Sequence, residues 1–318
     1  MDVNSSSDSP RAAPPGVAGA VAGDALQAQA VAPSLRSTRG ASVWRRFRRH
    51  RLALIGLVTL AVLGTVSLGA PVFAPHSPYT IDLRALNQAP NSSHLLGTDA
   101  AGRDVLSRLL YAGRISLTVG LSVVLIAVSI GMTVGAAAGY LGGWVDSLLM
   151  RFVDVVLSFP TILIVITVVA IIGPGLRNLI LAMGLLSWPA IARLLRAEFL
   201  SLRERDFILA ARSIGVPRLR IVVRHLAPNA LAPIIVAATF GVAQAILLEA
   251  GLSFLGLGVR RPTASWGNML AEAQSLTVLE SRWWLWVPAG LLITMTILAI
   301  NFMGDGLRDA LDPRLRSR

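Results

Sequence analysis

The residue types that hold metals, move protons or attack substrates are few in this sequence and spread thinly. There is no cysteine, which removes disulfides, thiolate metal sites and cysteine nucleophiles. The four histidines, His50, His76, His94 and His225, fall in no HExxH pattern, and no GxSxG is present. His94 with Asp99 and Asp104 has the composition of a metal cluster, but helix capping explains the same residues more cheaply, so no metal site is expected. Nothing assembles a nucleophile, a base and an orienting group, and no residue is assigned a catalytic role. All 29 basic residues are arginine. A phosphate-cradling loop needs its lysine, so any ATP that drives this protein must bind another subunit. The remaining candidates are polar groups inside apolar runs: Asp154, a turn beyond Arg151 and read as its ion-pair partner, and the deeper Gln244 and Glu249. Intramembrane groups of this kind line a polar pathway or bridge helices; Gln244 and Glu249 are the pathway candidates.

Those candidates must be carried by membrane helices. The chain of 318 residues is 54% hydrophobic and 14% charged, with mean hydropathy +0.66, and its apolar runs repeat. That pattern predicts an all-α polytopic membrane protein rather than a soluble domain. A net charge of +12 raises nucleic acid as a partner, yet the arginines sit beside apolar spans with no aromatic-studded basic face, so the lipid membrane is the better account. Residues 1–40 are rich in Ser, Ala, Pro and Gly and read as a disordered cytoplasmic tail; with no apolar core after Met1, no secretory signal is expected. A basic aromatic collar at 44–51 would rest on an anionic inner leaflet.

Six spans are expected, at residues 52–74, 115–140, 151–172, 176–195, 229–257 and 283–303. The arginine-dense collar and the loop after the fourth span place both termini inside. In the polar segment after the first span, Thr98 or Asp99 can cap a short helix whose Leu106, Leu109 and Leu110 lie along the membrane. Gly131, Gly135 and Gly139 make a small-xxx-small face for close helix packing. Trp144 and Asp146 read as a short cytoplasmic turn. Pro160, Pro189, Pro233 and Pro288 put a proline in each of the last four spans, and an interior proline kinks its helix.

One cytoplasmic loop, 201–229, is patterned like a folded element. Ser201 and Glu204 have capping-box spacing. Phe207, Ala210, Ala211 and Ile214 share one face of a helix. Gly215 supplies a stop, and Pro217 can open a second helix. There Leu219, Val222, Val223 and Leu226 repeat the spacing, while Arg218, Arg220, Arg224 and His225 take the other sides. The positive-inside rule accounts for the arginines. It does not account for two amphipathic turns about a Gly-x-Pro hinge, which suit docking to a partner or a membrane surface.

This loop resembles the "EAA" loop of ABC-importer membrane subunits at Ala210, Ala211, Gly215 and Pro228, with Leu209 where the family carries its Glu. Four further stretches appear in order: HLLGTDAAGRDVLSRLLYAGRISL at 94–117, EAGLSFLGLG from Glu249, PTASWGNML from Pro262 and NFMGDGLRDALDPRL from Asn301. Together they are similar to the "C" type membrane subunit of the dipeptide/oligopeptide/nickel group of ABC importers. Arg260 and Arg261, before Pro262, depart from that pattern. The resemblance implies the type-1 permease fold, with the loop as a coupling helix seated on an ATPase through Asp206, Phe207, Ala210, Ala211, Gly215, Pro217, Arg218 and Pro228. Asp206 or Glu204 would cover for the missing Glu. It implies four kinds of partner component: a homologous membrane permease subunit, two ATP-binding subunits holding ATP and Mg, an extracytoplasmic solute-binding protein, and a bacterial inner membrane around them. It divides the chain into a tail at 1–40, the first span with its collar and external segment at 41–112, the importer transmembrane domain at 113–303, and a C-terminal cytoplasmic tail at 304–318. The substrate would be di- or oligopeptides, a nickel chelate, glutathione or an opine. An ATP-independent channel and a non-import subunit of the same fold remain the alternatives.

Overall fold

The computed structural model describes residues 39–311; residues 1–38 of the tail expected at 1–40 and the last residues of the C-terminal one lie outside that range. Two compact units divide the chain at Trp44. Of the first, the opening turns of α1 (Arg39–Phe47) are described; everything below belongs to the second.

All regular structure among the described residues is helical, because a chain in hydrocarbon must satisfy its backbone internally. After α1 come α2 (Arg51–Leu68) and the short α3 (Ala70–Phe73), then an irregular external segment, then α4 (Val105–Leu141). A bent pair follows, α5 (Gly143–Leu157) and α6 (Thr161–Ile172), and then α7 (Leu176–Arg203). The loop helices are α8 (Asp206–Ser213) and α9 (Arg218–Ile221), which runs through a π turn (Val222–Leu226) into α10 (Ala227–Phe254). Beyond it lie α11 (Trp266–Leu270), α12 (Leu276–Ser281) and α13 (Val287–Leu311). Five helices are long and apolar enough to cross a membrane, and the α5–α6 pair, bent by 77°, makes the sixth as one broken span.

Several boundaries move from the sequence reading. The first span breaks at Gly69, between α2 and α3. The helix expected to lie along the membrane is instead the start of α4: Leu109 is 6% exposed, packed with Trp266 and Trp284. Its cap is Asp104, whose side chain accepts from the Ser107 N–H, not Thr98 or Asp99. Trp144 and Asp146 lie in the first turn of α5, not in a loop. Pro160 does more than kink its span. It cannot donate to a preceding turn, Ser158 folds its hydroxyl back onto the Asp154 carbonyl at 2.7 Å, and the helix stops there. Pro189, by contrast, stays inside α7 and is buried. The last helix continues to Leu311, so the start of the expected tail at 304–318 is helical.

The glycine stripe is where two spans touch most closely. A Cβ at Gly131, Gly135 or Gly139 would stand 2.6 Å from the Ile191 Cβ, 2.5 Å from the Ala192 carbonyl oxygen and 2.7 Å from the Phe199 Cβ. All three neighbours are on α7, so the small-residue face packs α4 onto α7 within this chain. Asp146 adds a bidentate ion pair to Arg196, with Nη2 at 2.6 Å. Asp154 pairs with Arg193 on α7 at 2.6 Å, not with Arg151; both partners are over half exposed, so the pair adds little.

Adding a methyl to an exposed helix glycine gains about 1 kcal/mol of propensity, whereas overpacking costs about 1–3 kcal/mol. At Gly135 the obstacle is a backbone oxygen that cannot step aside. Gly135→Ala should therefore lower the thermal unfolding midpoint of the detergent-solubilised chain. Gly64→Ala, where nothing lies within 4 Å of the new Cβ, should not. Equal midpoints for the two variants would contradict this packing.

Candidate functional site

Three places carry the sequence candidates: the cytoplasmic loop, an intramembrane cavity, and a cluster at the external start of α4.

In the loop, α7 runs on to Arg203 and Glu204 is its C-cap residue. Ser201 therefore lies inside α7, and the capping box expected of Ser201 and Glu204 is not formed. The α8 helix closes as a Schellman motif: the Val216 N–H reaches the Ala211 carbonyl at 3.1 Å and the Gly215 N–H the Arg212 carbonyl at 3.0 Å. Gly215 holds φ +77°, with open space where a Cβ would be. The demand for glycine is thus one of backbone conformation, not of room. Pro217 then precedes α9 as its N-cap residue.

The predicted faces were partly out of phase: of their residues Ala211 and Leu226 are buried, while Phe207, Ile214, Leu219 and Val223 are exposed. Ile208 and Ala211 are buried on α8; Ile208, with Ile221 and Leu226 from the second half, joins Leu195 and Phe199 of α7 and Ala230 and Ile234 of α10 in one core. Ile221 and Leu226 are five residues apart, about 140° around an α-helix, yet both are buried. The π turn between them, with its i→i+5 bonding, brings them to one side. Pro228 is the local cause: it lacks an N–H for the Arg224 carbonyl, and its ring crowds that group. A second apolar set is left outside, with Phe207, Leu209, Ile214, Leu219 and Val223 between 45% and 79% exposed. Asp206, Ala210, Arg218 and Pro228 are exposed beside them.

A cavity of about 810 Å³ lies among α4, α6, α7 and α10, lined by Val123, Thr161, Pro189, Phe240, Gln244 and Gly251 among others. Gln244 borders it. Glu249 is not among its lining residues and is fully buried. Its carboxylate accepts from Ser116 Oγ at 3.1 Å and Ser253 Oγ at 2.7 Å. Ser116 Oγ in turn accepts from the Trp266 N–H at 3.2 Å, and the Trp266 indole donates to the Leu109 carbonyl at 3.2 Å. Glu249 is thus a joint tying α4, α10 and α11 together, as a satisfied buried polar network does. Ser253 is one turn along the same helix, but Ser116 lies 133 residues away in sequence, so no local signal announced the link between helices.

At the external start of α4, Asp99 turns away from His94 and Asp104. Its carboxylate accepts from the Ala101 and Arg103 N–H groups at 2.8 and 3.0 Å and from Arg103 Nε at 2.7 Å, with Arg108 Nε at 3.3 Å. Asp104 keeps His94, with Nδ1 at 2.9 Å, and gains His76, with Nδ1 at 3.8 Å. Beyond α10, Arg261 pairs with Glu272 at 3.3 Å.

This arrangement, with broken and continuous spans, a cytoplasmic two-helix loop and a side cavity, is that of a multi-pass transport component of the inner membrane. The chain belongs to the family described as the binding-protein-dependent transport system inner membrane component, which matches residues 131–317. Residues 38–90 match the N-terminal TM domain of oligopeptide transport permease C. A Brucella suis protein named as a peptide permease is 46% identical over 269 residues, covering 85% of this chain and 89% of that one. The dipeptide transport system permease protein DppC of Bacillus subtilis is 41% identical over 285 residues, covering 89% and 88%. Among solved structures, the inward-facing MetNI methionine ABC transporter shares the fold with TM-score 0.53 and 19% identity, over 64% of this chain and 96% of that one. The protein is an ABC-type permease component.

If Glu249 is a joint, its shape and hydrogen bonds matter more than its charge. Glu249→Gln should keep folded yield, while Glu249→Ala, which empties the site and strands two hydroxyls, should cost about 2–5 kcal/mol. Chemical denaturation in detergent measures both; equal losses would move the weight to the charge.

Proposed function

We propose that this chain forms half of the translocation pathway of an ATP-driven importer for di- or oligopeptides or a related small solute. The observation that carries the reading is the loop with two apolar faces. One face is spent on the protein's own core through Ile208, Ile221 and Leu226, and the other, from Phe207 to Val223, is left for a partner. An exposed apolar patch rimmed by Asp206, Arg212, Arg218 and Arg220 has the character of a docking surface. The partner proposed is an ATP-binding subunit carrying ATP and Mg, two copies of which would serve this chain and a homologous permease. An extracytoplasmic binding protein would deliver the solute. Leu209, at the position where the family carries Glu, is 45% exposed; it extends the apolar surface where an ion pair would otherwise stand.

The coupling would be mechanical. Because α7 ends at the loop and α9 runs without a break into α10, a push on the exposed face is delivered to two spans, and both line the cavity beside Gln244. Peptide transport is supported by the names of the relatives, and much of the choice of solute would rest with the binding protein.

Gly215 offers the sharpest test. A β-branched residue is strained at φ +77°, at a cost on the order of 1–3 kcal/mol. In proteoliposomes holding the whole complex, Gly215→Val should leave assembly and ATP hydrolysis while peptide uptake falls at least tenfold. Uptake at the wild-type rate would refute the lever. A pull-down of the tagged chain should also recover two ATPase copies and a second six-span protein. Recovery of the folded chain alone would instead favour a channel.

A further inference from the structure

The external cluster at the start of α4 has a use that capping does not exhaust. His76, His94 and Asp104 each offer one ligand atom, and the three lie within 4.8 Å of one another. Both imidazoles turn Nδ1 toward the same oxygen, Asp104 Oδ1, at 2.9 Å for His94 and 3.8 Å for His76. Donors around a tetrahedral zinc ion, at about 2.0–2.2 Å from the metal, stand about 3.3 Å apart; the two observed separations bracket that value. The other carboxylate oxygen is already engaged, accepting from the Ser107 N–H at 2.7 Å, so the group cannot rotate away.

Each donor is also fixed by its own backbone. The His76 N–H donates to Ser107 Oγ at 3.1 Å. The His94 N–H donates to Asn91 Oδ1 at 2.9 Å, and the His94 carbonyl accepts from the Asn91 and Gly97 N–H groups at 2.9 and 2.8 Å. Asp104 is held by an antiparallel bridge to Thr98 and is 1% exposed at its side chain. The donors are therefore set in place before any ion arrives, which lowers the ordering cost of binding. His76, 43% exposed at its side chain, opens the cluster to the outside, and leaves room for a water as fourth ligand.

We propose that His76, His94 and Asp104 bind a borderline divalent transition-metal ion such as zinc, and that the ion staples the external segment 75–104 to the N-terminus of α4. Two imidazoles and a carboxylate suit zinc, nickel or cobalt and not magnesium or calcium, which take oxygen ligands. The site draws on nothing in the translocation cavity or the cytoplasmic loop, so it stands or falls apart from the transport reading.

The test is isothermal titration of zinc chloride into the metal-stripped full-length chain in detergent, purified through a histidine-free tag. One zinc per chain should bind at low micromolar concentration and raise the unfolding midpoint, and magnesium should do neither. His76→Gln with His94→Gln should weaken zinc by about 100-fold or more, since outer-shell losses alone cost 10–100-fold. His50→Asn, at the opposite end of α2 and itself a good cap, should bind as wild type does. Asp104 is left intact because it caps α4. X-ray absorption of the loaded wild-type chain should show two imidazole nitrogens, which keeps the test open if the double variant fails to fold. No binding, unchanged binding in the double variant, or a shell without imidazole would each overturn the site.

Discussion

The contact on which the rest depends is the one between α4 and α7 along Gly131, Gly135 and Gly139. In a membrane no hydrophobic drive pulls helices together, so close backbone approach has to supply the packing. The three glycines let a 37-residue helix lie against the carbonyls of Ala192 and its neighbours with no side chain between. That contact fixes α7, and α7 carries the cytoplasmic loop at one end and lines the cavity along its middle. Everything the loop feels is referred to this seam.

A second constraint follows from continuity. The loop is no tether between spans: α8 is seated on the core through Ile208, and α9 is the same helical rod as α10. Rigid elements with few hinges convert a local push into a displacement at a distance. The hinge here is narrow, four residues from Ile214 to Pro217, with the turn set by one left-handed glycine. On the opposite side of the membrane the Glu249 network, the Asp104 cap and the Asp99 bonds to Ala101 and Arg103 hold their segments together through polar contacts.

Much of the architecture was legible in the residues. Apolar run lengths gave the spans, and Gly215 with Pro217 gave the hinge. These are local signals, set by solvent and by backbone stereochemistry. What the residues concealed was relational. Asp154 looked nearest to Arg151, yet helical rotation sends it to Arg193. Glu249 looked like a pathway group because only Ser253 lies near it in sequence; Ser116, its second partner, arrives from α4. His76 could not be joined to His94 and Asp104 by spacing, since the segment between them folds back irregularly. In the second half of the loop the inward face was misjudged because a 3.6-residue period was assumed through a stretch that does not keep it.

That stretch, Val222–Leu226, works as a phase adjuster. A π turn spends one residue more than an α turn, so it rotates all that precedes it by about 100° relative to all that follows. The residues that meet the protein's own core below the membrane and those that face the cavity within it are thereby set on independent angular clocks. In such a rod, length carries information that composition does not. Beyond the buried Leu226, what is fixed at 222–226 is the number of residues, because one more or one fewer would turn Ile221 out toward water and bring a charged neighbour in.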